Sequence, residues 1–358
     1  MKIRILYILF IFIINGCNNA KEPVYGQPYE NPPKIELNDQ VDVIGLLYHR
    51  FDEEKYPSTS ISSELFRQQL AYLKNNNYRV IKLSDGIQKL LSRDASGKFI
   101  VITIDDAFNS FIDKGFPVIK EFGFPATLFI NTETVGSGDY INWDNLKKLV
   151  NNGIEIGNHT HSHDYFLNMD TVTRHKVFYE DVQLAQEIIK SKLNVEPKVF
   201  AYPYGEFDEG MMEVIRKMGF IGATAQNSGV MSSYSELFAL PRFPMTDHYG
   251  KLQAFSEKIS MKPLPVVKTI PSSTIASKNP PVLQFILDKE TFDLDQIQCF
   301  IQGGNCVLIK LEGDKLGFQI SSDQQLGSRR HLYTVTIPGK DNSQWYWFSH
   351  QWVFPKQE

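Results

Sequence analysis

Between residues 41 and 262 the chain repeats one pattern, and that pattern constrains its fold more than any other feature. Short β-rich runs at 43–48, 78–83, 99–104, 126–130, 154–158, 199–203, 221–225 and 237–243 alternate with segments of helical period such as 63–75, 143–151, 173–192 and 209–218. Strands that alternate with helices are βα units, and successive βα units build a parallel sheet. Ser62 or Ser63 is placed to cap the helix at 63–75, and Gly153 follows the helix at 143–151. Seven or eight such units predict an α/β fold, a distorted (β/α) barrel of about seven strands over residues 41–262.

Beyond that point the pattern changes. Pro263, Pro265, Pro271, Pro280 and Pro281, with Ser and Thr between them, read as a linker over 263–281. Strand-like runs at 282–288, 296–302, 306–312, 315–321, 331–337 and 345–354 then follow with no helical period. Gly303-Gly304, Gly313-Asp314 and Pro338-Gly339 supply turns, so a small C-terminal β-sandwich is expected over 282–358. In its last strand Trp345 and Trp347 share one face and Trp352 takes the other, which suits a carbohydrate-binding face or a tryptophan-filled core. Cys299 and Cys306 flank a turn. Their spacing fits no zinc knuckle and no redox Cys-x-x-Cys, and it leaves a disulfide and two thiols in adjacent strands both open.

The amino terminus has Lys2 and Arg4, an apolar run from Ile5 to Ile14, and then Asn15-Gly16-Cys17. That run is too short to span a bilayer as a folded helix, so residues 1–16 read as a signal peptide. The small residue directly before Cys17 resembles a bacterial lipoprotein processing site. Cys17 would then carry the lipid, and the proline-containing stretch 17–40 would be a flexible tether. This implies export across the inner membrane and lipid anchoring in the cell envelope, at the outer membrane or cell surface. The plain alternative is an ordinary cleaved signal with Cys17 lost or free. A net charge of -4 and a pI near 6.1 offer no electrostatic footprint for nucleic acid.

Three motifs carry chemistry. Thr103-Ile104-Asp105-Asp106 ends an apolar strand, where the turning chain can bring both carboxylates to one site, one for a metal and one for protons; a turn or helix cap is the structural alternative. Gly157-Asn158-His159-Thr160-His161-Ser162-His163 places three histidines in five residues directly after another strand. Two imidazoles and a carboxylate leave coordination positions open for water and substrate. Phe200-Ala201-Tyr202-Pro203-Tyr204-Gly205 also lies at a strand end, and its backbone amides are placed to face a substrate carbonyl. In a barrel of this kind the active site is built at the carboxyl ends of the strands, where all three motifs fall.

Together these residues resemble the polysaccharide deacetylase family, the NodB-homology group, over about residues 41–262. The resemblance implies a hydrolase that removes N-acetyl groups from an N-acetylglucosamine-containing polysaccharide. It makes Asp105 the general base, Asp106, His159 and His163 the ligands of a divalent metal, and Tyr204, in its Pro203-Tyr204 segment, the amide donor to the oxyanion. Zinc is the default ion, with cobalt, manganese and nickel compatible with the same ligand types. His161 is not carried over. Ala107 stands where the family usually has glycine, and the arginine common in the Pro-Tyr motif is absent, because Ala201 and Tyr202 occupy that stretch. Tyr202-Pro203-Tyr204-Gly205 and Leu46-Leu47-Tyr48-His49 look closer to the branch that acts on poly-β-1,6-N-acetylglucosamine. Other readings are an O-acetyl esterase on a polysaccharide such as xylan, and a non-catalytic glycan-binding lipoprotein.

The general acid is expected to be His49. Leu47-Tyr48-His49 has the family's Leu-x-His form but stands at the beginning of the domain, which a circularly permuted barrel would accommodate because the first and last strands are neighbours. The competing candidate is His248, after the run at 237–243.

Overall fold

The computed structural model describes residues 41–92, 97–288, 292–313, 316–340 and 344–355. The expected signal peptide, Cys17 and the tether lie outside the described residues. The first part of the fold runs β1 (Val41–Tyr48), β2 (Arg50–Phe51), β3 (Ser60–Ile61), α1 (Ser63–Asn75), β4 (Arg79–Ile81), α2 (Leu83–Ser92), β5 (Gly97–Ile104), α3 (Phe116–Phe122), β6 (Thr127–Ile130) and α4 (Trp143–Asn151). It continues through β7 (Glu155–Asn158), α5 (Thr171–Leu193), β8 (Val199–Ala201), α6 (Glu209–Lys217), β9 (Gly222–Thr224), β10 (Met231–Ser232), β11 (Phe243–Pro244) and α7 (Leu252–Ser260).

One sheet curls through the order β10-β1-β5-β6-β7-β8-β9, with β4 added on β5 and β11 on β1. Seven strands form its main path, as the βα alternation predicts. Alternate residues of its strands face opposite sides. Ile44, Leu46, Ile100, Ile102, Ile104 and Leu128 join Phe66, Leu70, Val118 and Leu146 of the flanking helices in one core. Val43, Phe99, Val101, Phe129, Val199 and Ala201 gather instead with Leu83, Ile87 and Leu90 of α2. Burial on both faces explains why β1 and β5 read as continuous apolar runs. Ser62 caps α1 by accepting from the Leu65 N–H.

The expected strand at 237–243 is not formed as such. Residues 237–239 turn, Leu240 makes one parallel bridge to Thr224, and Phe243–Pro244 pairs with Leu46 and Leu47 of β1. Pro241 has no N–H to donate, so it interrupts the ladder. The segment 240–244 nevertheless meets β9 at one end and β1 at the other, across the gap between the first and last strands.

The C-terminal part comprises β12 (Lys262–Pro263), β13 (Val266–Ile270), β14 (Val282–Leu287), β15 (Gln298–Ile301), β16 (Cys306–Lys310), β17 (Leu316–Ser322), β18 (Arg330–Pro338) and β19 (Trp345–Val353). Two four-stranded sheets, β12-β19-β18-β15 and β13-β14-β17-β16, enclose a core that includes Phe285, Phe318, Tyr333, Val335 and Trp352. The stretch 263–281 is therefore not a free linker. Its first residues form β12 and β13, both edge strands, where proline costs no ladder bond. Ile275 also bridges Val353. Cys299 and Cys306 are joined in a disulfide with Cα atoms 5.8 Å apart. The face alternation of the last strand places Trp352 in the sandwich core, whereas Trp347 packs edge-on against Phe243 and donates from Nε1 to the Ser228 carbonyl at 3.1 Å.

Gly157 pairs with Phe129 across β6 and β7, and a Cβ at 157 would overlap the Phe129 ring. Gly157→Ala should therefore cost about 1–3 kcal/mol by overpacking, read as a lower thermal midpoint. The wild-type midpoint in this variant would show that the strand pair has slack.

Candidate active site

Residues 99, 101, 103 and 105 share one face of β5 and its extension, so the alternation that turns Phe99 and Val101 inward also turns Thr103 and Asp105 inward. Asp105 has no exposed surface, and neither has Arg242. Arg242 Nη1 donates to Asp105 Oδ1 at 2.7 Å and Nη2 to Oδ2 at 2.8 Å. Nη1 also donates to Thr103 Oγ1 at 3.1 Å, and Nε to the Ala225 carbonyl at 3.1 Å. Burial alone would raise the Asp105 pKa, but the charge and hydrogen bonds of Arg242, with help from His159 and His49, outweigh it and hold the carboxyl below its ordinary value. The guanidinium partner of Asp105 thus comes from the segment before β11 and not from the Pro-Tyr loop. Sequence reasoning did not select it. The signal was a lone arginine between Pro241 and Phe243 in an apolar stretch, a placement that requires a buried partner.

At Asp106 the backbone turns left-handed, with φ 70°, and Ala107 follows at φ 58°. This swings the second carboxylate away from the first and toward the loop after β7. Asp106 Oδ1 lies 3.3 Å from His159 Nε2 and 3.2 Å from His163 Nε2, and these three ligand atoms all lie within 4.8 Å of one another. His159 Nδ1 is 2.7 Å from the Ala201 carbonyl at the end of β8. A proton on Nδ1, donated to that carbonyl, fixes the ring and leaves Nε2, on the side of Asp106, as the nitrogen that can bind an ion. Burial would raise the Asp106 pKa, yet the hydrogen bonds from His159 and His163 bring it well below its ordinary value. One carboxylate oxygen and two imidazole nitrogens converging in this way fit a divalent transition ion.

The histidine loop is braced from within. Asn158 Oδ1 accepts from the Thr160 N–H at 2.8 Å, Thr160 Oγ1 accepts from the His163 N–H at 3.0 Å, and Asp181 Oδ1 accepts from the His161 N–H at 2.6 Å. His161 instead places Nδ1 2.8 Å from Thr132 Oγ1, apart from the triad.

Tyr204 follows Pro203 with φ 59°, a left-handed position for a residue with a side chain. Its ring packs 4.5 Å from the His163 ring and stacks on Tyr165 at 3.9 Å, 5° from parallel. Of the aromatic residues near the motif loops, Phe166 and Tyr202 are core, and Tyr165 is exposed. Tyr140 was not anticipated. Its backbone bridges Phe108, two residues after Asp106, and burial first, then the Asp106 charge, raise its phenol pKa.

His49 follows β1, whose Tyr48 carbonyl accepts from the Asp105 N–H at 2.9 Å. Burial lowers its pKa, opposed by the charges of Asp106 and Asp105. His248 is exposed and packs on Tyr249. The structure thus brings His49 to the same mouth as Asp105, Asp106, His159 and His163, and leaves His248 outside it.

The curled sheet thus gathers two aspartates and three histidines, His49, His159 and His163, at the carboxyl ends of its parallel strands. Residues 92–223 match the polysaccharide deacetylase family model, so the chain carries a polysaccharide deacetylase domain. Among similar proteins is the poly-β-1,6-N-acetyl-D-glucosamine N-deacetylase of Staphylococcus aureus (strain MRSA252), 24% identical over 277 residues, which cover 69% of this chain and 94% of that protein. Among solved structures, the Streptococcus pyogenes deacetylase PplD in complex with acetate superposes with a TM-score of 0.56 at 18% identity, over 61% of this chain and 98% of that one. IcaB from Ammonifex degensii superposes with a TM-score of 0.51 at 26% identity, over 60% and 96%.

Replacing Arg242 with Met should cost about 3–5 kcal/mol near neutral pH, because it leaves a buried carboxylate unpaired. The sign follows from the pair. In the wild type the lowered Asp105 pKa contributes stability that is full above the ordinary value of 3.8 and is lost as pH falls through the folded value. In the variant burial outweighs what His159 and His49 still contribute and raises that pKa, so the stability gap to wild type should widen as pH rises from about 4 to 7. Urea midpoints across that range check it, and a pH-independent gap would contradict the pairing.

Proposed function

We propose that this polysaccharide deacetylase is a metal-dependent hydrolase that removes N-acetyl groups from an N-acetylglucosamine-containing polysaccharide. The observation that carries the reading is the convergence of Asp106, His159 and His163 beside a buried, arginine-held Asp105. A pure glycan-binding protein has no use for that combination. The S. aureus relative named above supports the N-acetylated glucosamine polymer as the substrate class.

Asp106, His159 and His163 would hold the ion, with zinc the default and cobalt, manganese or nickel compatible with the donors. When bound, a divalent ion supplies Lewis acidity toward the acetyl carbonyl and toward water. Asp105, kept ionised by Arg242, takes the proton as water attacks the carbonyl carbon. The Tyr204 N–H, on its left-handed turn after Pro203, donates to the developing oxyanion; one such donor contributes about 3–4 kcal/mol in other enzymes. As the carbon–nitrogen bond breaks, His49 hands a proton to the departing sugar amine. We also propose that Cys17 carries a lipid that anchors the exported protein in the envelope; Cys17→Ser should then move the protein from the membrane to the soluble fraction, and continued membrane association would refute the anchor.

Acetate release from acetylated chitin, peptidoglycan, β-1,6-glucosamine and xylan fragments tests the proposal. Release from the N-acetylated glucans, lost with a chelator and restored by added Zn²⁺, is the expected result, and release from xylan alone would favour the ester reading. Asp105→Asn should keep the metal and lose most turnover. His49→Ala should cost about 10²–10⁴ in rate and remove the alkaline limb of the pH profile, while His248→Ala should leave both unchanged.

A further inference from the structure

The loop that carries Tyr204 is not held by the deacetylase domain alone. Gln351 Nε2 of β19 reaches the carbonyls of Tyr204 and Gly205 at 3.5 and 3.3 Å. Arg329 grips Glu206 with two parallel bonds, Nε to Oε1 at 2.8 Å and Nη2 to Oε2 at 2.7 Å, and Arg330 Nη1 adds a third to Oε1 at 2.8 Å. Thr274 Oγ1 donates to the Phe207 carbonyl at 2.7 Å, and Ser272 Oγ to Glu209 at 2.9 Å. Residues 204–207 thus each receive a bond from the sequence after residue 270.

Two observations separate this clamp from ordinary domain adhesion. Glu206 is 3% exposed, so without the two arginines the loop would bury an unpaired carboxylate beside the residue that matters most to it. Tyr204 and Gly205 are consecutive left-handed residues, with φ 59° and 69°, and a left-handed tyrosine persists only where its surroundings over-determine it. The guanidinium groups also continue the aromatic stack, with Arg329 4.6 Å from the Tyr165 ring centre and Arg330 5.2 Å from that of Tyr204. Adhesion between the two parts is supplied elsewhere, by Trp347 on Phe243 and by Ser349 on Ser228.

We infer that the C-terminal sandwich is a working part of the acyl site: Arg329, Arg330 and Gln351 are positioning residues that fix the Tyr204 amide by clamping Glu206 and the carbonyls beside it. The inference rests on the reading of the Tyr204 loop as the oxyanion donor, and its test has one arm that does not depend on turnover. The variants are Arg329→Gln, Arg329→Lys and Gln351→Ala, with Ser349→Ala as an adhesion control, all in the full chain.

The first readout is amide hydrogen exchange over residues 204–207. Exchange should quicken at least about tenfold in Arg329→Gln, less in Gln351→Ala, and not at all in the adhesion control. The second readout is acetate release from an acetylated β-1,6-glucosamine oligomer. Arg329→Gln should lower kcat by about 10- to 100-fold, within the loss for one misplaced oxyanion donor, with KM within about threefold and metal content unchanged. Arg329→Lys keeps the charge without the fork and should recover only part of kcat. Unchanged exchange over 204–207, or a loss of kcat in Ser349→Ala equal to that in Arg329→Gln, would overturn the clamp. If Arg329→Gln does not fold, Gln351→Ala decides by the same two readouts. A wild-type chain without deacetylase activity would refute the proposed function, while the exchange arm would still decide the clamp.

Discussion

The buried ion pair between Asp105 and Arg242 is the interaction on which the rest of the site depends. Both groups lie wholly out of water, so each requires the other. The pair joins the end of β5 to the segment 240–244, which itself touches β9 and β1, and so ties the two ends of the curled sheet to Asp105. The neighbouring strand is shaped around it. A Cβ at Gly45 of β1 would sit 2.9 Å from Arg242 Cγ and 2.6 Å from Met231 Cε, so the glycine provides room for the arginine stem. Asp105 is thereby fixed in position and ionised, and Asp106, one left-handed residue further on, is free to turn toward the histidines.

The site is assembled from parts distant in sequence but adjacent in the sheet. β1 and β5 pair in register from Val41↔Gly97 to Tyr48↔Ile104, which sets His49 beside the two aspartates. β7 and β8 pair next, and the Ala201 carbonyl at the end of β8 orients His159. The first strand has β5 on one side and β11, the last parallel strand, on the other, so a residue at the beginning of the domain reaches the same mouth as those in its middle. The C-terminal sandwich adds the outer wall of the Tyr204 loop.

Much of this was legible in the sequence because the physics is local. Short apolar runs between segments of helical period located β1, β5, β6 and β7, and placed Asp105, Asp106, His159 and His163 at strand ends. Face parity along the last strand put Trp352 opposite Trp347. What stayed hidden depends on partners far along the chain. Arg242 lies 137 residues from Asp105, and nothing near it names its partner. Pro263 and Pro265 look like linker residues unless the sheet edge that accepts them is known. The arginines at 329 and 330 read as surface charge until the buried Glu206, 123 residues earlier, is set against them. The left-handed turns at Asp106 and Tyr204 carry no glycine signal, because surrounding contacts impose them.

The central claim is that Asp106, His159 and His163 form one ion site and that Asp105 stays out of it to handle protons. X-ray absorption at the zinc edge, on the full chain loaded with one equivalent of Zn²⁺ and on its Asp105→Asn and His163→Ala variants, tests it most directly. The account predicts two imidazole ligands with otherwise oxygen donors in the wild type, the same spectrum in Asp105→Asn, and the loss of one imidazole or of the bound ion in His163→Ala. A spectrum changed by Asp105→Asn but not by His163→Ala would contradict it.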